Sequence, residues 1–314
     1  MPTARAPLPT DLVALVLHDG RRCPNEAITW DRIGKGDAPG PLETAVEQWL
    51  SFATGRHTWI SVKGKTLRGL ASARVRGSKQ AWEIDCLIDA AEDDEGVLIN
   101  LFDRVVADAG RAGAEKVFVR VDASSAALDT ALRCGFTVVT TEGLYYRPNP
   151  APVDLRVGDP GWRRRAKADA YGIYRLYNAA APEPVRRVEA ATLGEWIAAQ
   201  ERLSGPRRTQ QFVVEREGRI VAWARTALDG DVGRFQVMAA PGEPEILDRV
   251  LQAAVLRLAA ASALYSLVPL YDGALMARLE ELGFGRITEL ATLARRTAKT
   301  VEAPRLAPAT HLAG

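Results

Sequence analysis

Glu83 and Asp85 alternate with Trp82, Ile84 and Cys86 in the stretch AWEIDCLI. Strand periodicity places both carboxylates on one face, where a pair of acids can accept or relay a proton. The same pattern also suits two acids on a solvated strand face. A second group is YGIYRLYNAA (171–180), which carries Tyr171, Tyr174 and Tyr177 on roughly one helical face. Such tyrosines can line an acceptor pocket, and they equally suit a core or interface. Just before it, Trp162, Arg163, Arg164, Arg165 and Lys167 form a basic run. That run reads as a solvated face or as a contact with the acidic residues Glu92, Asp93, Asp94 and Glu95.

Other chemistries are excluded by spacing. VKGKT (62–66) contains a GKT, but Trp59 stands where a phosphate-binding loop needs its first glycine, so it reads as a hairpin turn. GKGDAPG (34–40) misses the dinucleotide fingerprint by one residue. His18, His57 and His311 lack metal-ligand spacing, and there is no GxSxG. Cys23, Cys86 and Cys134 are odd in number with no CxxC, against a disulfide framework or zinc site. No metal is expected. A net charge of +2 gives no reason to expect a nucleic-acid or membrane partner. The N-terminal apolar run is too short for a signal or a span, which suggests a cytoplasmic protein.

These residues need elements to hold them, and the elements repeat. KVFVRVDASSAALDTALRCGF (116–136) aligns without a gap on LYSLVPLYDGALMARLEELGF (264–284), at an offset of about 148 residues. Gly135 and Gly283 are placed as helix C′ residues. Upstream, the apolar spacing of LINLFDRVVADAGRAGA (98–114) and ILDRVLQAAVLRLAA (246–260) predicts two amphipathic helices. Ahead of these, HTWISVKGKTLRGLASARV and QQFVVEREGRIVAWARTAL each predict a glycine-turn hairpin, followed by third strands at AWEIDCLI and RFQVMAA. The 314 residues thus divide into an N-terminal domain (1–148), a C-terminal domain (149–298) and a loosely ordered tail (299–314). The proline-rich YYRPNPAPVDLRVGDPG (145–161) suits a linker leading into the first strand of the second half.

The order of elements, the EREGRIVAWA hairpin and the final helix ending in LGF resemble the GNAT superfamily of N-acetyltransferases, in two tandem copies. The resemblance implies an α/β (α+β) fold, each copy a mixed, mainly antiparallel sheet flanked by helices. It further implies transfer of an acetyl group from acetyl-CoA, as cosubstrate, to a small amine. In that family a glycine-bearing loop before a helix N-terminus holds the pyrophosphate, and the preceding strand bonds the pantetheine arm. On this chain those roles fall on Val237, Met238, Ala239 and Gly242, and on Gly96 as the first-glycine slot of the first copy. The family's acid on the third strand maps to Glu83 and Asp85, the candidate general bases, and its acceptor pocket to Tyr171 and Tyr174. Both copies depart from the pattern. Asp93 and Ala239 stand where Arg or Gln is usual, Leu98 and Pro244 replace the second glycine, and Ala131 and Leu279 replace the tyrosine acid. The acidic run 92–95 is expected to cap a helix start. The alternative is therefore a catalytically degenerate member that binds ligands or acts as a scaffold. Oligomeric state is open, a homodimer included.

Overall fold

The computed structural model describes residues 4–19, 24–34, 55–91, 94–148, 161–201 and 209–298. Cys23, Glu92, Asp93, His311, most of the expected linker and the whole tail fall outside the described residues.

The first half contains helix α1 (Leu12–Asp19), strands β1 (Arg56–Lys63), β2 (Thr66–Val75) and β3 (Ala81–Asp89), helix α2 (Gly96–Arg111), β4 (Lys116–Asp122), α3 (Ala126–Arg133) and β5 (Thr137–Pro148). The second contains β6 (Trp162–Arg164), helices α4 (Ala170–Ala180), α5 (Glu183–Glu189) and α6 (Leu193–Ala199), β7 (Gln210–Arg216), β8 (Arg219–Asp229), β9 (Val232–Ala239), α7 (Pro244–Arg257), β10 (Ala263–Pro269), α8 (Gly273–Glu281) and β11 (Gly285–Arg296). The order is the one that the repeat predicts. Tyr145–Arg147, expected at the start of the linker, instead continue β5 and pair with Leu264–Ser266. Their side chains bury against the second half, which outweighs the proline that follows.

The two amphipathic helices bury the stripes read from the sequence. Leu98, Leu101, Phe102, Val105, Val106 and Ala109 of α2 are buried, as are Ile246, Leu247, Val250, Leu251 and Ala254 of α7. Each repeat closes with the same C-terminal device. Gly135 and Gly283 take φ of 77° and 79°. The Phe136 N–H donates to the Ala131 carbonyl and the Phe284 N–H to the Leu279 carbonyl, both at 3.0 Å. These six-to-one bonds end the helix in a left-handed residue and turn the phenylalanine back into the core. Phe136 lies 5.3 Å from Phe102, and Phe284 5.6 Å from Phe235.

All eleven strands among the described residues join one sheet, ordered β1-β2-β3-β4-β11-β5-β10-β9-β8-β7-β6. Its centre shows an exchange. Strand β11, the last of the second half, pairs with β4 of the first half, Leu290 opposite Asp122 through Arg296 opposite Lys116. Strand β5, the last of the first half, pairs with β10, Pro148 opposite Ala263 through Glu142 opposite Pro269. The two exchanged strands then pair with each other. The division of the chain at residue 148 is not a division of the sheet. Helices α2 and α3 pack on the first core and α7 and α8 on the second, while α4 and α6 gather with Val213 in a separate cluster.

Candidate functional site

In each half two parallel neighbours begin as a ladder and then diverge. Strand β3 pairs with β4 only over Ala81–Glu83 and Lys116–Phe118. Strand β9 pairs with β10 only over Val232–Phe235 and Ala263–Ser266. Beyond those points each pair opens a wedge walled by strand edges, whose polar backbone groups need partners.

The first wedge is filled by the chain itself. The Glu26 N–H donates to the Leu87 carbonyl and the Ile28 N–H to the Arg120 carbonyl, both at 2.8 Å. The Asn25 carboxamide does the work of another peptide group. Its Nδ2 donates to the Asp85 carbonyl at 3.2 Å, and its Oδ1 accepts from the N–H groups of Leu87 at 2.8 Å and Ala27 at 3.1 Å. Ser125 at the start of α3 donates to Glu26 Oε2 at 2.5 Å. The strap continues past Trp30, whose N–H donates to Glu201 Oε2 at 2.8 Å, to Ile33, whose carbonyl accepts from Arg234 at 2.5 Å. Nothing in PNEAITWDRI announced this, because the segment has neither strand nor helix period.

The second wedge holds an open cleft of about 160 Å³. Gln236, Val237 and Met238 form one wall, Leu267 and Pro269 another, and Tyr177, Glu189, Trp196 and Tyr271 close it from the helical side. Glu142 also lines it. That residue belongs to the first half and arrives through the exchanged β5. Tyr177 donates to Glu189 Oε2 at 2.7 Å, and burial raises the Glu189 carboxyl above the usual range. Burial likewise pushes the Tyr271 hydroxyl up, so it stays protonated.

The loop after β9 turns at Gly242, whose φ of 83° suits glycine, and Pro244 opens α7. Beside it lies a hollow of about 600 Å³ lined by Ala240, Pro241, Glu243, Tyr171, Arg175 and Arg219. No carboxylate among the described residues pairs with Arg175 or Arg219. In the first half, Gly96 is the first residue of α2. It therefore matches Pro244, the second-glycine position, and not the first-glycine slot expected for it. Asp94 and Glu95 do not cap that helix through their side chains. They pair instead with Arg68 at 3.0 Å and Arg133 at 2.7 Å.

Glu83 and Asp85 do share a face, but it is not solvated: they are 3% and 0% exposed. A bulge lets Ser72 face Cys86 and Ala73 face Ile84, leaving Asp85 outside the ladder. Arg74 reaches Asp31 at 2.8 Å, Glu83 at 3.3 Å and Asp85 at 3.5 Å, and Arg56 also pairs with Asp85. Arg120 adds Glu142 at 2.8 Å and Glu201 at 2.5 Å. These acids sit against buried arginines beneath the closed wedge. Of the helical tyrosines, Tyr171 is 60% exposed beside the loop, and Tyr174 donates to the Ala191 carbonyl at 3.0 Å. Only Tyr177 lines the open cleft. The basic run does not meet the described acidic residues 94 and 95; Arg163 pairs with Asp169 and Glu215 at 2.7 and 2.8 Å. Ala131 and Leu279 are both fully buried.

No family model matches the chain, and no curated protein matches it. Among solved structures it is similar to a candidate acetyltransferase from Pyrococcus horikoshii, with 13% identity over 94% of this chain and 89% of that one and a TM-score of 0.50. It is also similar to a GCN5-related N-acetyltransferase from Sphaerobacter thermophilus (16% identity, 93% and 95% covered, TM-score 0.47). A tandem GNAT protein from the clavulanic acid biosynthesis pathway gives 12% identity, 92% and 94% covered, and a TM-score of 0.49. The Pyrococcus likeness shows the fold alone, a mixed α/β architecture with a mostly antiparallel sheet flanked by helices, whose element order this chain runs through twice. No helix among the described residues is long and apolar enough to cross a membrane.

Proposed function

We propose that the second half is an acyl-CoA-dependent N-acyltransferase acting on a small amine, and that the first half has given up cosubstrate binding. The observation that carries this reading is the asymmetry of the two wedges. One is sealed by residues 25–28, and the other is open and lined by ionisable groups.

The cosubstrate fits the open wedge on two counts. The edge of β9 at Val237 and Met238 leaves the ladder with β10, as a pantetheine amide requires. The loop at Gly242 meets a hollow that carries Arg175 and Arg219, suited to phosphate. When bound, acetyl-CoA supplies an activated thioester. Glu189, its basicity raised by burial, takes the proton of the attacking amine as the nitrogen–carbon bond forms and the carbon–sulfur bond breaks. The Tyr271 hydroxyl donates a hydrogen bond toward the departing sulfur, a role that buried Leu279 leaves vacant. Glu142, held by Arg120 and Thr292, fixes the charge at the cleft wall.

Calorimetric titration with acetyl-CoA tests the reading. Binding is expected in the wild type, weakened at least tenfold by Gly242→Asp and little changed by Gly242→Asn. Both replacements tolerate a left-handed backbone comparatively well, so the difference isolates charge. No heat and no thermal shift at millimolar cosubstrate would leave the fold as a non-catalytic module.

A further inference from the structure

A second cavity, of about 390 Å³, lies between the halves and shares Trp196, Gln200 and Trp223 with the open cleft. Its charged lining is Arg76, Arg165, Arg225 and Glu201. Glu201 is committed to Arg120 and to the Trp30 N–H. Arg76 is partly spent, its Nε donating to the Ala199 carbonyl at 2.6 Å and its Nη1 lying 3.6 Å from Glu83.

Arg225 is different. It is 4% exposed, yet no carboxylate among the described residues pairs with it. It donates to the Gln236 side chain and lies 3.8 Å above the Trp30 ring, and its buried Nε has no partner. Arg165 also presents a buried Nε without a partner. A buried guanidinium normally keeps a counter-ion, because an unpaired charge taken out of water is strongly disfavoured. Burial, with the charge of Arg120, pulls Arg225 down to about 10 even though Glu201, Asp31 and Glu83 act on it from beyond contact distance. Its position is informative too. Arg225 sits opposite Gln236 in the β8–β9 ladder, and Gln236 is the first residue beyond the β9–β10 pairing.

We infer that this cavity receives the carboxylate of the acceptor, so that the substrate class is a small amine bearing a carboxylate, an amino acid or a close relative. The inference rests on the acyltransfer reading for the word acceptor, but the anion site itself does not. A carboxylate between Arg225 and Arg165 leaves the rest of the molecule beside Trp196 and Trp223, with its amine directed along Gln236 into the cleft.

The test is calorimetry on the full chain without acyl-CoA, using L-phenylalanine, 3-phenylpropanoate and phenethylamine, and L-leucine against isoamylamine. The carboxylates are expected to bind at least tenfold more tightly than the amines that lack one. Arg225→Met is expected to abolish that preference, Arg225→Lys to keep part of it, and Arg163→Met, on the exposed edge strand, to leave it unchanged. Arg165→Met, less deeply buried, gives a second reading should Arg225→Met fail to fold. Equal binding of the decarboxylated amines, no carboxylate binding, or equal response to inorganic phosphate would each overturn the proposal. Acetyl-CoA consumption is followed separately. Carboxylate binding without consumption leaves the anion site standing and removes the transfer reading, whereas consumption with amines of either kind at equal rates does the reverse.

Discussion

Glu142 of the first half lies opposite Pro269 of the second in the antiparallel β5–β10 ladder, and so a residue from before the linker becomes a wall of the cleft after it. The exchange makes each half's sheet incomplete without the other. A protease site inserted within residues 149–160 should therefore cut the chain without freeing its parts. The cut fragments are expected to co-elute in size-exclusion chromatography and to part only in denaturant. Two separately eluting folded fragments would contradict the exchange.

Gly77 locks the same junction from the other side. A Cβ built there would lie 2.0 Å from the Ile197 carbonyl oxygen and 2.7 Å from that of Gln200, both backbone atoms of the α6 region. Backbone cannot rotate away, so Gly77→Ala must push the halves apart. The expected loss is roughly 1–3 kcal/mol, the usual cost of overpacking. A urea midpoint matching the wild type would show that the contact is looser than described.

The strap at Asn25 gives a local prediction. Asn25→Ala takes the acceptor from the Leu87 and Ala27 N–H groups in a closed wedge and leaves the Asp85 carbonyl only its contact with Arg32 at 3.4 Å. A cost of about 1–3 kcal/mol follows from the unsatisfied groups. Acetyl-CoA affinity should not change, since the cosubstrate is assigned to the other wedge. A rise in stoichiometry toward two per chain on this substitution would reverse the assignment, showing that the strap merely masks a working site.

Much of the fold was legible because the repeat is written in local signals. The glycine-phenylalanine pairs at 135–136 and 283–284 set helix ends through backbone conformation, and the stripes of α2 and α7 set which face is buried. What could not be read is set by distant partners. Glu83 looks like any acid on an alternating strand, and Arg225 like any strand arginine, until the sheet places Arg74 and Arg76 beside the first and, among the described residues, no carboxylate in ion-pair contact with the second. Glu142 and Glu189 gave no signal, because neither sits in a motif and both reach the cleft through tertiary placement. Exchange of β5 and β11 is equally silent, since either pairing satisfies the same apolar pattern.

The buried acids make stability depend on pH in a definite direction. Burial, and then the charge of Glu201, raise Glu83 to about 7, against the pull of Arg76, Arg74 and Arg120. Its ordinary value is 4.5, so between that pH and about 7 the unfolded chain releases a proton that the folded chain retains. The folded state binds more protons there, so stability falls as pH rises through that range. Glu201 runs the other way, held low by the surrounding arginines despite its burial, so its stabilisation is present at neutral pH and lost only in strong acid. Glu83→Gln removes the first effect and not the second. Urea midpoints at pH 5 and pH 7 should therefore draw closer together in the variant than in the wild type. An unchanged difference would mean that Glu83 is ionised in the folded protein throughout, a plain counter-ion to Arg74.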